Sequence, residues 1–296
     1  MIALAARPSL RIADRWRDYA LLDSGDQKKL ERFGDFRFIR PEPQALWRPQ
    51  SAIADWAADG EFEAGSDEIA SRWKASSRVP GQWRLGYDGL PFWARCTPFR
   101  HLGFFPEQAI HWDAIVNAIT AGPHPFRLLN LFGYTGLASL LAARAGAEIT
   151  HVDASPKAIA FARENQALAG LDAAPIRWIV DDALKFVERE GRRGKTYHAI
   201  LLDPPKHGRG PKGETWKLEE MLPDLLRACA ALLAEDAAAI IVTVYAVRLS
   251  CLALANALAD ALAGRAGAID HGEMALQEAP SGRLLPTAIY ADWRPR

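Results

Sequence analysis

Leu128-Leu129-Asn130-Leu131-Phe132-Gly133-Tyr134-Thr135-Gly136 reads as a buried strand that runs into a glycine turn and then a helix. Glycines at such a turn let backbone N–H groups approach a ligand at a helix N-terminus. Twenty residues past Gly133 stands Asp153, closing the apolar run Ile149-Thr150-His151-Val152. A third run, Ile200-Leu201-Leu202, ends in Asp203-Pro204-Pro205-Lys206. A glycine turn, a lone acid and a rigid Asp-Pro-Pro corner at three strand ends predict a cofactor site beside a reaction site. Open α/β sheets hold their ligands at such carboxyl ends.

Around this centre, strand and helix patterns alternate. Strands are expected at 127–132, 148–152, 176–180, 198–202 and 238–244, and helices at 136–145, 155–169, 182–190, 217–234 and 249–263. Ser155 and Pro156 form an N-cap and first helical position, and Gly170 a stop. Alternation of this kind predicts parallel pairing through right-handed crossovers. Two final runs, Ile269–Leu276 and Leu284–Trp293, flank a short Pro-Ser-Gly loop and suit an antiparallel hairpin. The expectation is a Rossmann-like α/β fold over 122–296 with a seven-stranded sheet, five strands parallel and a hairpin at the edge.

Residues 1–100 differ. Seven of the ten tryptophans precede position 113, and short aromatic runs alternate with turn residues. Asp88-Gly89 between Trp83–Tyr87 and Leu90–Trp93 is a hairpin signal, because a two-residue turn of this kind needs positive φ twice. Phe36-Arg37-Phe38-Ile39 alternates like a strand with one wet face. Tyr19–Leu22 precedes a turn at Ser24–Asp26, and the alanine-rich stretch 51–65 suits a helix or loop. The expectation is a small β-rich substrate-recognition domain at 1–100, joined by a linker helix at 101–121. Arg11, Arg15, Arg17, Arg37, Arg40 and Arg48 lie among Trp16, Tyr19, Phe36, Phe38 and Trp47. They form either a phosphate- and base-binding surface or core aromatics with solvated arginines balanced by nearby acids.

The 296 residues carry 36 Lys+Arg and 36 Asp+Glu, so overall charge gives no support for a polyanionic partner, though it leaves room for a local patch. Three dispersed cysteines, Cys96, Cys229 and Cys251, suit free thiols in a reducing compartment and match no zinc spacing. There is no signal-peptide pattern and no apolar run near the ~20 residues of a membrane span. A soluble cytoplasmic protein without a metal is expected.

Asp153 can accept both ribose hydroxyls of an adenosine cofactor, and the glycine spacing is not the G-x-G-x-x-G of pyrophosphate binders, which speaks against NAD or FAD. Asp181 or Asp182, closing the next strand, can accept from an adenine amino group while the other caps the following helix; Asp182 is preferred as ligand. In Asp203-Pro204-Pro205-Lys206 two prolines fix the backbone and remove two donors. The carboxylate and a free carbonyl can then hold an N–H whose nitrogen attacks a methyl. Lys206 is placed to orient an anion. The basic loop His207–Gly213 is a lid or a flexible connection.

These motifs in order resemble class I S-adenosylmethionine-dependent methyltransferases, over about 100–296. The likeness extends to bacterial large-subunit ribosomal RNA methyltransferases that carry Asp-Pro-Pro-Lys after a small β-containing domain. The resemblance implies S-adenosylmethionine as cofactor. Phe132, Gly133, Tyr134, Thr135 and Gly136 would hold its methionine end, Asp153 with Ala154 and Ser155 the ribose, and Asp182 the adenine. The segment Gly103-Phe104-Phe105-Pro106-Glu107-Gln108 would touch it, through Gln108. Asp203, Pro204, Pro205 and Lys206 would face the methyl group. Cytosine-C5 members of that group place a nucleophilic cysteine directly after the fifth strand. Here that place reads Thr243-Val244-Tyr245-Ala246-Val247, and Cys251 falls in an expected helix as a core residue. The implied chemistry is direct transfer to an intrinsically nucleophilic atom, with RNA as the expected substrate. Methylation of a small molecule or protein, or a non-catalytic RNA-binding module that keeps the cofactor, are the alternatives.

Overall fold

The computed structural model describes residues 2–63, 65, 71–245 and 247–295. Ala64, in the expected helix-or-loop stretch, and Ala246, in the stretch after the fifth strand, lie outside the described residues. In chain order come β1 (Ile2–Leu4), β2 (Ser9–Ile12), β3 (Tyr19–Gly25), β4 (Lys28–Phe33), β5 (Phe36–Pro41), β6 (Gly60–Glu63), β7 (Arg72–Ala75), β8 (Trp83–Tyr87) and β9 (Leu90–Ala94). A 3-10 turn, Pro106–Gln108, leads into α1 (Ala109–Ala121). Then follow β10 (Arg127–Leu131), α2 (Leu137–Arg144), β11 (Glu148–Asp153), α3 (Pro156–Leu168), β12 (Ile176–Val180), α4 (Ala183–Arg192) and β13 (Ala199–Leu202). The chain ends with β14 (His207–Arg209), β15 (Thr215–Lys217), α5 (Leu218–Ala231), β16 (Ala239–Val244), α6 (Cys251–Ala261), β17 (Gly267–Gln277) and β18 (Leu284–Arg294).

Two compact units result. The first holds Met1–Arg11, Ile110–Met274 and Thr287–Arg296; the second holds Ile12–Ala109 and Ala275–Pro286. In the first, the large sheet runs β1-β17-β18-β16-β13-β10-β11-β12, with β2 also on β17. It therefore has nine strands where seven were expected. The two extra strands come from the N-terminus, β1 lying parallel to β17 with Ile2 opposite Gly267. β10, β11, β12, β13 and β16 pair in parallel, and β18 runs antiparallel to β16. Chain order leaves β10 to β11 and β12 on one side, then returns to β13 and β16 on the other. That reversal opens a crevice at the carboxyl end of β10.

The core explains why these strands read as continuous apolar runs. Leu129, Leu131, Ile200, Leu202, Ile240 and Val242 are fully buried against Phe186, Leu225, Leu226, Leu254 and Leu258 of α4, α5 and α6. Burial of each such side chain contributes about 1.5–3 kcal/mol. The helices start where their caps predict. Ser155 accepts from the Ala158 amide at 3.2 Å, with Pro156 in the first turn.

The second unit holds the five-stranded sheet β3-β4-β5-β6-β7 and the β8–β9 hairpin. Asp88 and Gly89 take positive φ of 47° and 78°, as the turn requires. The strand β6 occupies part of the stretch expected as helix or loop. The turn after β3 falls later than expected, at Asp26 and Gln27, both left-handed. The wet face expected on β5 is only half present: Arg37 is exposed, but Ile39 two residues on is buried, and Arg40, on the Phe38 face, is buried as well. Its guanidinium grips the fully buried Glu31 at 2.6 and 2.7 Å, and Tyr19 donates to the same carboxylate at 2.8 Å. Burial raises the Glu31 carboxyl, but Arg40 and Lys29 outweigh it and hold it at about 2. Tyr19 and Phe38 are core, and Phe36 packs edge-on against Trp83. The stretch thus combines packed or half-buried aromatics with the exposed Arg15, Arg17, Arg37 and Arg48, Arg40 alone being buried.

Candidate active site

Strand register assembles the site. Leu131 lies opposite both Val152 and Leu202, so the next residues, Phe132, Asp153 and Asp203, share one edge. Asp153 lies opposite Val180, which brings Asp181 and Asp182 to the same edge. Four strand ends thus deliver the glycine turn, the lone acid, the acid pair and the Asp-Pro-Pro corner together.

The turn is held open by its backbone. Phe132, Tyr134 and Gly136 have positive φ of 57°, 50° and 85°. Two of these are bulky, so the conformation needs outside support. Asp153 supplies it: Oδ2 accepts from the Tyr134 amide at 2.9 Å and Oδ1 from the Ser155 amide at 2.8 Å. Asn165 of α3 donates to the Thr135 carbonyl at 3.0 Å. Each Asp153 oxygen keeps acceptor capacity for a ligand hydroxyl. Burial pushes the Asp153 carboxyl upward, and the two amide bonds pull it back.

Beneath the turn lies a polar relay that sequence reading missed. Asn130 Nδ2 donates to Ser139 Oγ at 2.9 Å, and Ser139 Oγ meets His151 Nδ1 at 2.9 Å. Gly133 rests on this relay. A Cβ there would sit 2.3 Å from His151 Cε1 and 2.9 Å from Asn130 Nδ2. Gly133→Ala is expected to destabilise the protein by about 3 kcal/mol, in the range of overpacking a filled interior. Equilibrium urea denaturation measures this, and a midpoint equal to wild type contradicts the packing account.

Burial also keeps three histidines neutral, His101, His111 and His151, each lowered to about 3; nearby arginines add to the effect at His101 and His111. Unfolded histidine titrates near 6.5. Between about pH 6.5 and 3 the unfolded chain binds the extra protons, so stability falls as pH falls. For a fully buried histidine the slope is about 1.4 kcal/mol per pH unit. Urea midpoints are expected to drop steeply from pH 6.5 to 5, and His111→Phe to flatten the drop.

At the acid pair, Asp182 accepts from the Lys185 amide at 3.0 Å and so caps α4. Asp181 binds Arg189 and accepts from the Asp182 amide at 2.9 Å. The preferred adenine ligand is thus itself the cap, through one of its two oxygens. Ala154 and Ser155 follow Asp153 into α3. Gln108 is buried in the 3-10 turn and belongs to the second unit.

Asp203 leaves β13 at the edge, followed by the two prolines. Their carbonyls are not all free. Trp216 Nε1 donates to the Pro205 carbonyl at 2.7 Å, and the Leu218 amide to the Lys206 carbonyl at 3.0 Å. Trp216 also packs on Phe132 with ring centroids 5.2 Å apart. This buried tryptophan ties the reaction corner to the glycine turn. Residues 207–217, expected as a lid or flexible connection, form the β14–β15 hairpin, His207 opposite Lys217. Glu214 anchors its turn by accepting from Lys185 at 2.8 Å, which with backbone donors holds that carboxyl at about 2. Among the described residues no ion pair involves the Lys206 ammonium.

Cys251 is the first residue of α6 and half-buried, not the core residue expected. Burial raises the Cys96 thiol to about 11 and lifts that of Cys229 further. Among the described residues, no helix is long and apolar enough to cross a membrane, and no group of three or more His, Cys, Asp or Glu side chains is placed to hold a metal ion.

No family model matches the chain. Ribosomal RNA large subunit methyltransferase I of Shewanella denitrificans is 44% identical over 80 residues, 27% of this chain and 20% of its own length. The Aeromonas salmonicida protein of that name is 35% identical over 105 residues, 35% of this chain and 26% of its own. The chain thus spans about a quarter or less of the length of these curated relatives. The crystal structure of the SAM-dependent methyltransferase from Agrobacterium tumefaciens superposes with a TM-score of 0.95 at 44% identity, covering 99% of this chain and 95% of that one. A candidate methyltransferase solved with S-adenosylhomocysteine gives 0.73 at 18% identity over 95% and 76%, a likeness of fold alone. A parallel sheet with its glycine turn and acids on one carboxyl edge defines a nucleotide-cofactor α/β protein. The near-complete match at 44% identity makes it specific: the chain belongs to the S-adenosylmethionine-dependent methyltransferase family.

Proposed function

We propose that the protein transfers a methyl group from S-adenosylmethionine to RNA, most directly to large-subunit ribosomal RNA, without a covalent enzyme intermediate. The observation that carries the reading is the shared edge of Phe132, Asp153 and Asp203 set by the β10, β11 and β13 register. Phe132 to Gly136 present backbone to the methionine end. Asp153, with Ala154 and Ser155 beside it, takes the ribose hydroxyls. Asp182 uses its second oxygen for the adenine amino group. The cofactor supplies an electrophilic methyl on a sulfonium. The protein supplies alignment, since holding a nucleophile in line replaces a bimolecular encounter.

In this reading Asp203 and the carbonyl of Asp203 or Pro204 hold the acceptor's N–H, and Lys206 contacts an anionic group of the substrate. Asp203 or water receives the proton that leaves. The second unit acts as the substrate-recognition domain, the chain passing from it into the first unit within the 101–121 segment, and a cytoplasmic location goes with a ribosomal substrate. The curated relatives named for ribosomal RNA support the substrate class.

The absence of a covalent step is tested by replacing all three cysteines. The Cys96→Ser/Cys229→Ala/Cys251→Ala protein is expected to keep turnover within about threefold, because direct displacement needs no thiolate nucleophile. Loss of turnover with cofactor binding intact, restored by Cys251 alone, would sink direct transfer. One observation favours a second reading, a small-molecule or protein acceptor: apart from the exposed Phe99, the aromatics of the second unit are buried or half-buried rather than displayed for stacking.

A further inference from the structure

The amino-terminal ends of β10, β11 and β12 open onto a cavity of about 640 Å³, lined by Arg127, Glu148, Arg177, Lys195, Thr196 and Tyr197 among others. This is the opposite end of the sheet from Asp153 and Asp203. A five-residue strand separates the two ends by roughly 17 Å. Nothing in methyl transfer accounts for a built basic groove there.

The groove is built on a buried anion. Glu190 is fully buried and accepts from the Tyr197 hydroxyl at 2.7 Å. It also meets Arg177 at 3.4 Å and Arg193 at 3.3 Å, which fixes two guanidinium groups at the rim. The turn Gly191-Arg192-Arg193-Gly194-Lys195-Thr196 is exposed throughout. Arg127 pins its end, donating to the Thr196 carbonyl at 2.9 Å and hydroxyl at 3.2 Å. Among the described residues no ion pair involves Arg127, Arg192 or Lys195. Arg127, Arg177 and Lys195 line the groove with Glu148, Arg193 holds the enclosed Glu190, and Arg192 stands exposed in the adjoining turn. The chain has equal numbers of acidic and basic residues, so the excess of basic side chains at this groove is a local one.

We infer that this groove is a docking surface for the phosphodiester backbone of RNA, separate from the reaction edge. Arginine forks and an exposed lysine match phosphate oxygens and read no base. Their role is to position a long substrate whose target atom reaches the far end of the sheet. The inference rests on the RNA reading of the active site.

The test is filter binding of deproteinised large-subunit ribosomal RNA from about 50 to 200 mM salt, since each phosphate contact steepens the salt dependence. The Arg192→Gln/Lys195→Gln protein is compared with wild type, and calorimetric binding of S-adenosylmethionine serves as the control for folding. The variant is expected to bind RNA about tenfold more weakly at low salt. Its log–log salt slope is expected to be shallower by about 1.5, as for two lost contacts, with cofactor affinity unchanged. Equal affinity and slope in a wild type that methylates RNA would overturn the groove and leave the RNA reading standing. A wild type that neither binds nor methylates RNA would overturn both. Adenosine monophosphate binding lost in the variant, with RNA binding intact, would make the groove a mononucleotide site and also overturn the inference.

Discussion

Asp153→Ala is expected to weaken S-adenosylmethionine binding about 100-fold or more, measured by calorimetry. The carboxylate acts twice. It accepts the Tyr134 and Ser155 amides at 2.9 and 2.8 Å and so holds a turn in which Phe132 and Tyr134 are left-handed. In the proposed site it also takes two ribose hydroxyls. Hydrogen bonds to a charged group contribute about 1.5–3 kcal/mol each, and about 3 kcal/mol in binding is a little over two decades in Kd. The deleted side chain further leaves two amides without their acceptor. Asp153→Asn keeps one acceptor but turns its NH2 toward the other amide, so partial recovery is expected at most. Wild-type affinity in Asp153→Ala would show that the ribose lies elsewhere.

Asp203→Ala is expected to separate chemistry from binding. Single-turnover methyl transfer should fall about 10²–10⁴-fold, the span for losing a group that orients and deprotonates the acceptor. Cofactor affinity should stay within about threefold, since the glycine turn and Asp153 remain. The Pro205 carbonyl already accepts from Trp216 at 2.7 Å and is tied to it, so the demand falls first on Asp203 and the carbonyls just before it. Trp216→Phe, which removes that indole donor and keeps the packing on Phe132, is therefore a positioning variant. It should lower turnover less than Asp203→Ala. A normal single-turnover rate in Asp203→Ala would remove this carboxylate from the reaction.

Local signals were legible because their causes are local. Five parallel strands end in apolar runs, and the acids that follow them stand in register at one edge. Asp88-Gly89 announced its hairpin because only certain residues tolerate two positive φ values. What stayed hidden depends on distant partners. β1 and β2 join β17 more than 250 residues away, and three- and four-residue strands carry too little pattern to reveal it. Arg40 looked solvated because of its charge, although alternation puts it on the Phe38 face; what no local pattern shows is that Glu31 waits inside to pair with it. The relay Asn130–Ser139–His151 was invisible for the same reason: each member is an ordinary polar residue until the fold brings the three together. Asp181 and Asp182 were ambiguous because adjacent acids compete for one cap, and the geometry of α4 decides it for Asp182.

The most direct test of methyl transfer to RNA uses S-adenosylmethionine labelled in its methyl group. Purified protein is incubated with total RNA, ribosomal subunits and a protein extract from cells lacking the gene, with Asp203→Ala in parallel. Label in nuclease-sensitive material, absent with the variant, is the predicted result, and nucleoside analysis then names the methylated atom. Label confined to protein or small molecules, with RNA unlabelled, would contradict it.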